Sequence, residues 1–273
     1  MNTGRRVFCT VSSDSVIEGT LVLLYSLTRQ VPEASNCPVR VFYNRRISPL
    51  SQDNMRLITT VADNIDLIEA THERYFRGSL HDETHRAAFL TFEAFRQTGF
   101  AQVIYLDSDM LCIRDFSDCF ESDSDFTAVR CRSHNGTMLN TGFFVLNNTL
   151  VSNDCFEQVL ALVPSEMGHM VDQPAINRFL ISNDYTVTEL PRFYNYLYVG
   201  GHPEVPGDER YLSDLPKIRT LHWAGRIGRR VKPWEANAPN YPSLRRWKAE
   251  QKEVHERIGQ HLENAGREGD LNE

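Results

Sequence analysis

The tripeptide Asp-Ser-Asp occurs twice, as Asp107-Ser108-Asp109 and again as Asp123-Ser124-Asp125. Two carboxylates one residue apart can clasp a divalent cation, and hard oxygen ligands suit magnesium or manganese. The same pattern also arises as two solvated acids on a loop. Position separates the copies. Asp107 follows directly on the apolar run Val103-Ile104-Tyr105-Leu106, and Met110-Leu111-Cys112-Ile113 follows Asp109, so the first pair is enclosed between hydrophobic segments. A carboxylate placed there is costly unless a cation compensates it. The second pair precedes its apolar run and sits in an acidic stretch with Glu121. The first copy is therefore the candidate metal site, and the second reads as a solvated surface turn.

A cation held by two carboxylates, with positions left open, suits a phosphate-bearing substrate. Such a site calls for positive charge, and HWAGRIGRRVKPW, residues 222–234, supplies it. His222 closes a strand-like run, Gly225 and Gly228 permit close backbone approach, and Arg226, Arg229, Arg230 and Lys232 concentrate charge in a chain of net charge −7. An imidazole can complete a metal shell built on carboxylates. A lysine can act as a point charge on a phosphate oxygen. Taken alone, the segment has a plainer reading, a basic surface loop with a structural histidine.

The elements that must position these groups follow from periodicity. Apolar runs at 6–11, 39–44, 65–70 and 101–106 read as buried strands, and the segments at 16–29, 50–60 and 82–97 between them read as helices, the last closed by Thr98-Gly99. Strands alternating with helices predict an α/β fold with a largely parallel sheet, in which ligands bind beyond the carboxyl ends of strands. Asp107 and Asp109 fall at that edge. Further strands are expected at 125–130, 141–148 and 217–223, helices at 150–163, 172–181 and 243–264, ordered loops over 190–216, and a polar tail. Residues 1–234 read as one domain and 235–273 as a C-terminal helical extension, with Trp247 docking it.

With 273 residues, 41% of them hydrophobic, the chain can bury a sizeable core. Its acidic balance argues against a dedicated nucleic-acid binder. No run is long and apolar enough for a transmembrane segment, and the six scattered cysteines lack zinc-ligand spacing. A cytoplasmic protein with reduced thiols is the expectation. A homodimer is compatible with this composition.

Taken together and in order, FCTVSSDSVIEGTLVLLYSL, VIYLDSDML, LNTGFFVLN, VDQPAIN, LPRFYNYLY and H-W-A-G…K-P-W resemble glycosyltransferase family 8, over residues 6–234. The resemblance implies a GT-A fold, Rossmann-like, and transfer of a sugar from a nucleotide-diphosphate donor, usually UDP-linked, with retention and usually with manganese. By position it implies that Asp107, Asp109 and His222 bind the metal, with Ser108 between the acids at the donor. Gly225 and Lys232 would hold the diphosphate, and Asn140 and Thr141 would line the donor-sugar pocket. Asp172 would bind sugar hydroxyls, and Gln173 would lie on the reacting face. Thr10, Val11, Ser12 and Asp14 would frame the uridine.

Three departures stand out. Val16 stands where the family often stacks an aromatic on uracil. Leu90 stands where many members carry Arg or Lys, and Arg86, four residues earlier, would share its helical face. The loop between Gly225 and Lys232 is longer and adds Arg229 and Arg230. Gln173 is a weak nucleophile, which favours a front-face route in which the leaving diphosphate deprotonates the acceptor, with Asp172 as the alternative covalent nucleophile. A nucleotidyltransferase and a catalytically silent nucleotide-sugar binder remain the competing readings. The donor sugar and the acceptor, whether carbohydrate, lipid-linked, protein or small molecule, are left open.

Overall fold

The computed structural model describes residues 5–76, 79–80, 83–131, 138–163, 166–167, 172–197, 208–225, 231–238 and 240–270. Arg226, Gly228, Arg229 and Arg230 lie outside the described residues.

Six of the apolar runs form strands as expected: β1 (Arg6–Val11), β2 (Val39–Tyr43), β3 (Ile65–Glu69), β5 (Gln102–Leu106), β7 (Phe126–Arg130) and β8 (Leu139–Asn147). With β10 (Val187–Leu190) they make one seven-stranded sheet in the order β10-β7-β8-β5-β1-β2-β3. All its pairings are parallel except those of β8, which runs antiparallel to both β5 and β7. Two two-residue strands, β4 (Ser79–Leu80) and β9 (Glu166–Met167), pair separately.

Strict alternation divides the strand side chains between two cores, as a period of two requires when both faces of a sheet are covered. Phe8, Ile104, Leu106, Phe143 and Val145 face one side, and Val7, Cys9, Val103, Tyr105, Phe144 and Leu146 face the other. The first core is covered by α1 (Ile17–Gln30), α2 (Gln52–Val61) and the long α6 (Pro242–Asp270). The second is covered by α3 (Asn153–Ala161), α4 (Asp172–Ser182) and the segment Glu83–Arg96. That segment was expected as an α-helix, and it is wound instead as 3-10 turns, ending before Gly99 at φ 91°. At three residues per turn, positions i and i+3 eclipse, so Arg86 and Leu90 do not share a face as expected.

A second, three-stranded sheet consists of β6 (Met110–Cys112), β11 (Tyr196–Leu197) and β12 (Thr220–His222), in the order β11-β12-β6. Within the stretch expected as loops, β11 and the helix α5 (Asp208–Asp214) are regular. The second Asp-Ser-Asp is more than a solvated turn. Asp125 accepts hydrogen bonds from Thr149 Oγ1 at 2.6 Å and from the Thr186 amide and hydroxyl at 2.8 and 2.7 Å. It ties the starts of neighbouring strands together.

Helix α6 is built into the domain. Trp247 is fully buried in the first core, with Val254 and Ile258 further along the same helix. Arg29 on α1 bonds Glu250 at 2.6 Å and Glu253, while Gln251 and His255 hold Glu18. The helix runs on to Asp270, past the end that its periodicity suggests. Among the described residues no helix is long and apolar enough to cross a membrane. Trp247→Ala should destabilise the whole domain by about 3–5 kcal/mol. Chemical denaturation would check this, and a separate early transition for α6 would contradict it.

Candidate active site

The site is assembled by three backbone contacts. Strand β5 ends at Leu106, and because β8 runs antiparallel to it, the start of β8 lies at the carboxyl ends of the parallel strands. The Asp107 amide donates to the Gly142 carbonyl at 2.8 Å, one step beyond the Leu106–Phe143 pair. Strand β6 then leaves the sheet and pairs antiparallel with β12, setting His222 opposite Met110, and the Trp223 amide donates to the Asp109 carbonyl at 3.1 Å. Residues far apart in sequence thus meet at one edge.

Among the described residues, Asp107, Asp109 and His222 form a group whose ligand atoms all lie within 4.8 Å of one another. His222 Nε2 is 3.5 Å from Asp107 Oδ2 and 3.1 Å from Asp109 Oδ1. Each carboxylate has one oxygen occupied by the protein. Tyr105, two residues before Asp107 and on the same strand face, donates its hydroxyl to Asp107 Oδ1 at 3.0 Å, and Thr91 donates to Tyr105 at 3.1 Å. The Lys232 ammonium holds Asp109 Oδ2 and also donates to the Trp223 carbonyl at 2.7 Å. The other oxygen of Asp109, Oδ1, is buried and accepts no hydrogen bond among the described residues. An orphaned carboxylate oxygen facing a second carboxylate and an imidazole nitrogen is a donor set for a hard divalent cation.

The electrostatics separate the two acids. Burial and the neighbouring Asp109 charge push the Asp107 carboxyl up to about 7. Burial acts the same way on Asp109, but the Lys232 ammonium and His222 together outweigh it and hold that carboxyl well below the usual range. The two acids are thus driven apart, Asp107 toward the protonated form and Asp109 toward the ionised one.

Space at the site depends on glycine. A Cβ on Gly142 would stand 2.4 Å from His222 Cε1 and 2.7 Å from Asp107 Oδ2. One on Gly19, in α1, would stand 2.6 Å from the Ser108 carbonyl oxygen and 2.5 Å from Trp234. Ser108 is therefore seated against α1. Gly225, at φ 122°, turns the chain just after Trp223 in a conformation that favours glycine.

Helix α4 brings in the next layer. Asn177 bonds both backbone groups of Leu139, accepting from its amide at 2.7 Å and donating to its carbonyl at 3.0 Å. This docks the first turn of α4 on β8, where Thr141 donates to Asp172 Oδ2 at 2.5 Å and Asn140 Nδ2 donates to Gln173 Oε1 at 3.4 Å.

The other expected residues lie around this centre. Thr10 and Val11 end β1, the strand beside β5, and Ser12 follows directly. Thr10 Oγ1 is buried without a partner among the described residues, and Ser12 bonds the Thr20 hydroxyl at 2.8 Å. Asp14 accepts from the Ser51 amide and from Asn54, both at 2.8 Å, which pins the β1–α1 turn to the start of α2. Arg86 is buried and donates to the Tyr75 carbonyl at 2.9 Å. Three participants were not assigned from sequence: Tyr105, Gly142 and Asn195, the last bonding His222 Nδ1 at 2.7 Å. Tyr105 carries a signal, because alternation puts it on the face of Asp107. Asn195, between two tyrosines, carries none.

Two outcomes follow for metal binding. A cation binds the ionised carboxylate, so Mn(II) must displace the Asp107 proton below pH about 7 and no proton above it. Affinity should therefore rise with pH up to that value and level off beyond it, with proton release below it, as calorimetry in buffers of different ionisation enthalpy would show. Gly142→Ala should weaken Mn(II) by about 10- to 100-fold, the scale of disturbed metal surroundings. Unchanged binding in that variant would remove Gly142 from the site.

No family model matches the sequence. An Arabidopsis thaliana protein named as a UDP-glucuronate:xylan alpha-glucuronosyltransferase 3 is 24% identical over 146 residues, which are 52% of this chain and 22% of that protein. Among solved structures, the galactosyltransferase LgtC, in complex with donor and acceptor sugar analogues, superposes with a TM-score of 0.69 at 14% identity over 90% of this chain and 95% of LgtC. The glycosyltransferase GlyE of Streptococcus pneumoniae gives 0.67 at 18% identity over 96% of this chain and 64% of GlyE. The chain thus spans nearly the whole of LgtC and about two thirds of GlyE, but about a fifth of the plant relative. Its fold is the GT-A-like α/β architecture of these enzymes, and the likeness to glycosyltransferase family 8 drawn from the motifs holds at the level of the fold.

Proposed function

We propose that the protein is a metal-dependent retaining glycosyltransferase that moves a hexose-type sugar from a UDP-linked donor to an acceptor hydroxyl, with manganese, or magnesium in its place, as the ion. The observation that carries this reading is the convergence of Asp107 Oδ2, the orphaned Asp109 Oδ1 and His222 Nε2 at the carboxyl edge of the sheet. Support comes from the shared fold with LgtC, which has been solved with donor and acceptor sugar analogues and whose active site has been altered by a glutamine-to-glutamate substitution.

A divalent cation at Asp107, Asp109 and His222 would supply positive charge to the diphosphate oxygens as the sugar–phosphate bond breaks. Lys232 adds a second positive charge beside Asp109, and Gly225 gives the backbone room to approach the phosphates. Asp172 is oriented by Thr141 and serves the sugar hydroxyls. Gln173 is buried beside Asn140 and serves the reacting face. In the front-face route the bond from the anomeric carbon to the diphosphate oxygen breaks. The acceptor oxygen bonds on the same face, and its proton passes to the diphosphate. The amide of Gln173 is only weakly basic, which favours this route over attack by the side chain. Trapping a glycosyl adduct on Asp172 by mass spectrometry would replace it with a covalent intermediate.

The test is a donor panel of UDP-, GDP- and ADP-sugars with Mn(II), scored by nucleotide release. Slow hydrolysis of one donor is expected, lost with EDTA and reduced by about 100-fold or more in Asp109→Ala. Transfer of the nucleotide, or binding without any turnover when acceptors are supplied, would overturn the proposal.

A further inference from the structure

The polar groups behind His222 form a chain whose every donor and acceptor is determined by one backbone amide. The Gly142 N–H can only donate, and it donates to Asn140 Oδ1 at 2.9 Å. That identifies the oxygen end of the Asn140 amide, which also receives Asn195 Nδ2 at 2.6 Å. With its nitrogen turned to Asn140, Asn195 presents Oδ1 to His222 Nδ1 at 2.7 Å. An amide oxygen carries no proton, so the proton of that hydrogen bond belongs to Nδ1. A neutral imidazole has one N–H, and Nε2 is then a bare lone pair.

Nε2 is the nitrogen that faces Asp107 Oδ2 and Asp109 Oδ1. The tautomer therefore decides whether the nitrogen 3.1 Å from Asp109 Oδ1 offers the acid pair a proton or a lone pair. His222 is 2% exposed and Asn195 likewise 2%, so water has little access to exchange with this pair.

We propose that Asn195 is a positioning residue for the metal centre: anchored through Asn140 to the Gly142 amide, it holds the His222 proton on Nδ1 so that the Nε2 lone pair points at the cation site. The inference rests on the metal site of the preceding reading and adds to it the group that makes the imidazole a ligand. The same anchor orders the catalytic side, because Asn140 turns its Nδ2 toward Gln173 Oε1. Metal ligation by histidine commonly depends on the hydrogen bond at its other nitrogen, and disturbing that bond weakens binding by about 10- to 100-fold.

Two readouts test it. Imidazole 15N shifts of the metal-free protein at about pH 8, where an ordinary imidazole is neutral, report the tautomer, with the His222 signal assigned by its loss in His222→Asn. Mn(II) affinity is measured by electron paramagnetic resonance on wild type, Asn195→Ala and Asn195→Asp. The wild type should show the Nδ1-protonated tautomer. Asn195→Ala should shift it toward Nε2–H and lose affinity by about 10- to 100-fold. Asn195→Asp keeps an acceptor against Nδ1 and should bind near wild type, although it has lost the donor to Asn140. An Nε2-protonated His222 in the wild type would overturn the proposal, as would full affinity in Asn195→Ala. Equal losses in Ala and Asp variants would also overturn it, by showing a packing effect. Absence of Mn(II) binding in a wild type that does show the Nδ1 tautomer would sink the metal site instead, and leave the hydrogen-bond chain supported.

Discussion

The hydrogen bond from the Asp107 amide to the Gly142 carbonyl is the contact on which the rest of the site depends. It continues the antiparallel pairing of β5 with β8, and so carries the chain past the carboxyl edge in register with the start of β8. Had β8 run parallel, Asn140, Thr141 and Gly142 would lie at the opposite edge. The direction of one strand thus brings the acids of the candidate metal site and the residues that face Asp172 and Gln173 to one place. It also explains Gly142, since a carbonyl bonded to Asp107 leaves its own Cα against Asp107 and His222, with no room for a side chain.

A second constraint is charge. Two carboxylates and an imidazole brought together at a partly desolvated edge repel and desolvate one another unless each is compensated. The fold compensates one half of each acid and leaves the other half open. Tyr105 covers Asp107 Oδ1, Lys232 covers Asp109 Oδ2, and the remaining oxygens face each other across His222 Nε2. Raising one acid and lowering the other eases their mutual repulsion in the metal-free protein. An arrangement satisfied on its outer side and open on its inner side is what a candidate cation site requires, and a buried carboxylate oxygen without a partner calls for such an explanation.

Much of this was legible in the chain itself. Six of the seven strands of the large sheet announce themselves as apolar runs bounded by turn residues, whereas the four-residue β10, half of it exposed, does not. The first Asp-Ser-Asp could be told from the second by its apolar flanks, and His222 and Lys232 could be grouped with it by charge and by motif order. Less visible were β6, β11 and α5. Strands of two or three residues and a seven-residue helix carry too few positions to establish a period. The Glu83–Arg96 segment misled for another reason, since an amphipathic pattern does not by itself tell 3-10 winding from α winding.

By itself, the sequence determined the α/β class, the edge at which a ligand would bind and the types of group that would meet it, because periodicity and the end of a strand are local properties. Only the tertiary structure decided which atoms are free. That Asp109 Oδ1 is left open and that Asn195 bonds the back of His222 depend on contacts between segments far apart in the chain, as from Asp109 to Lys232, 123 residues on. Hydrogen bonds of that kind depend on sub-ångström distance and direction, and neither is encoded in the spacing of residues along a chain.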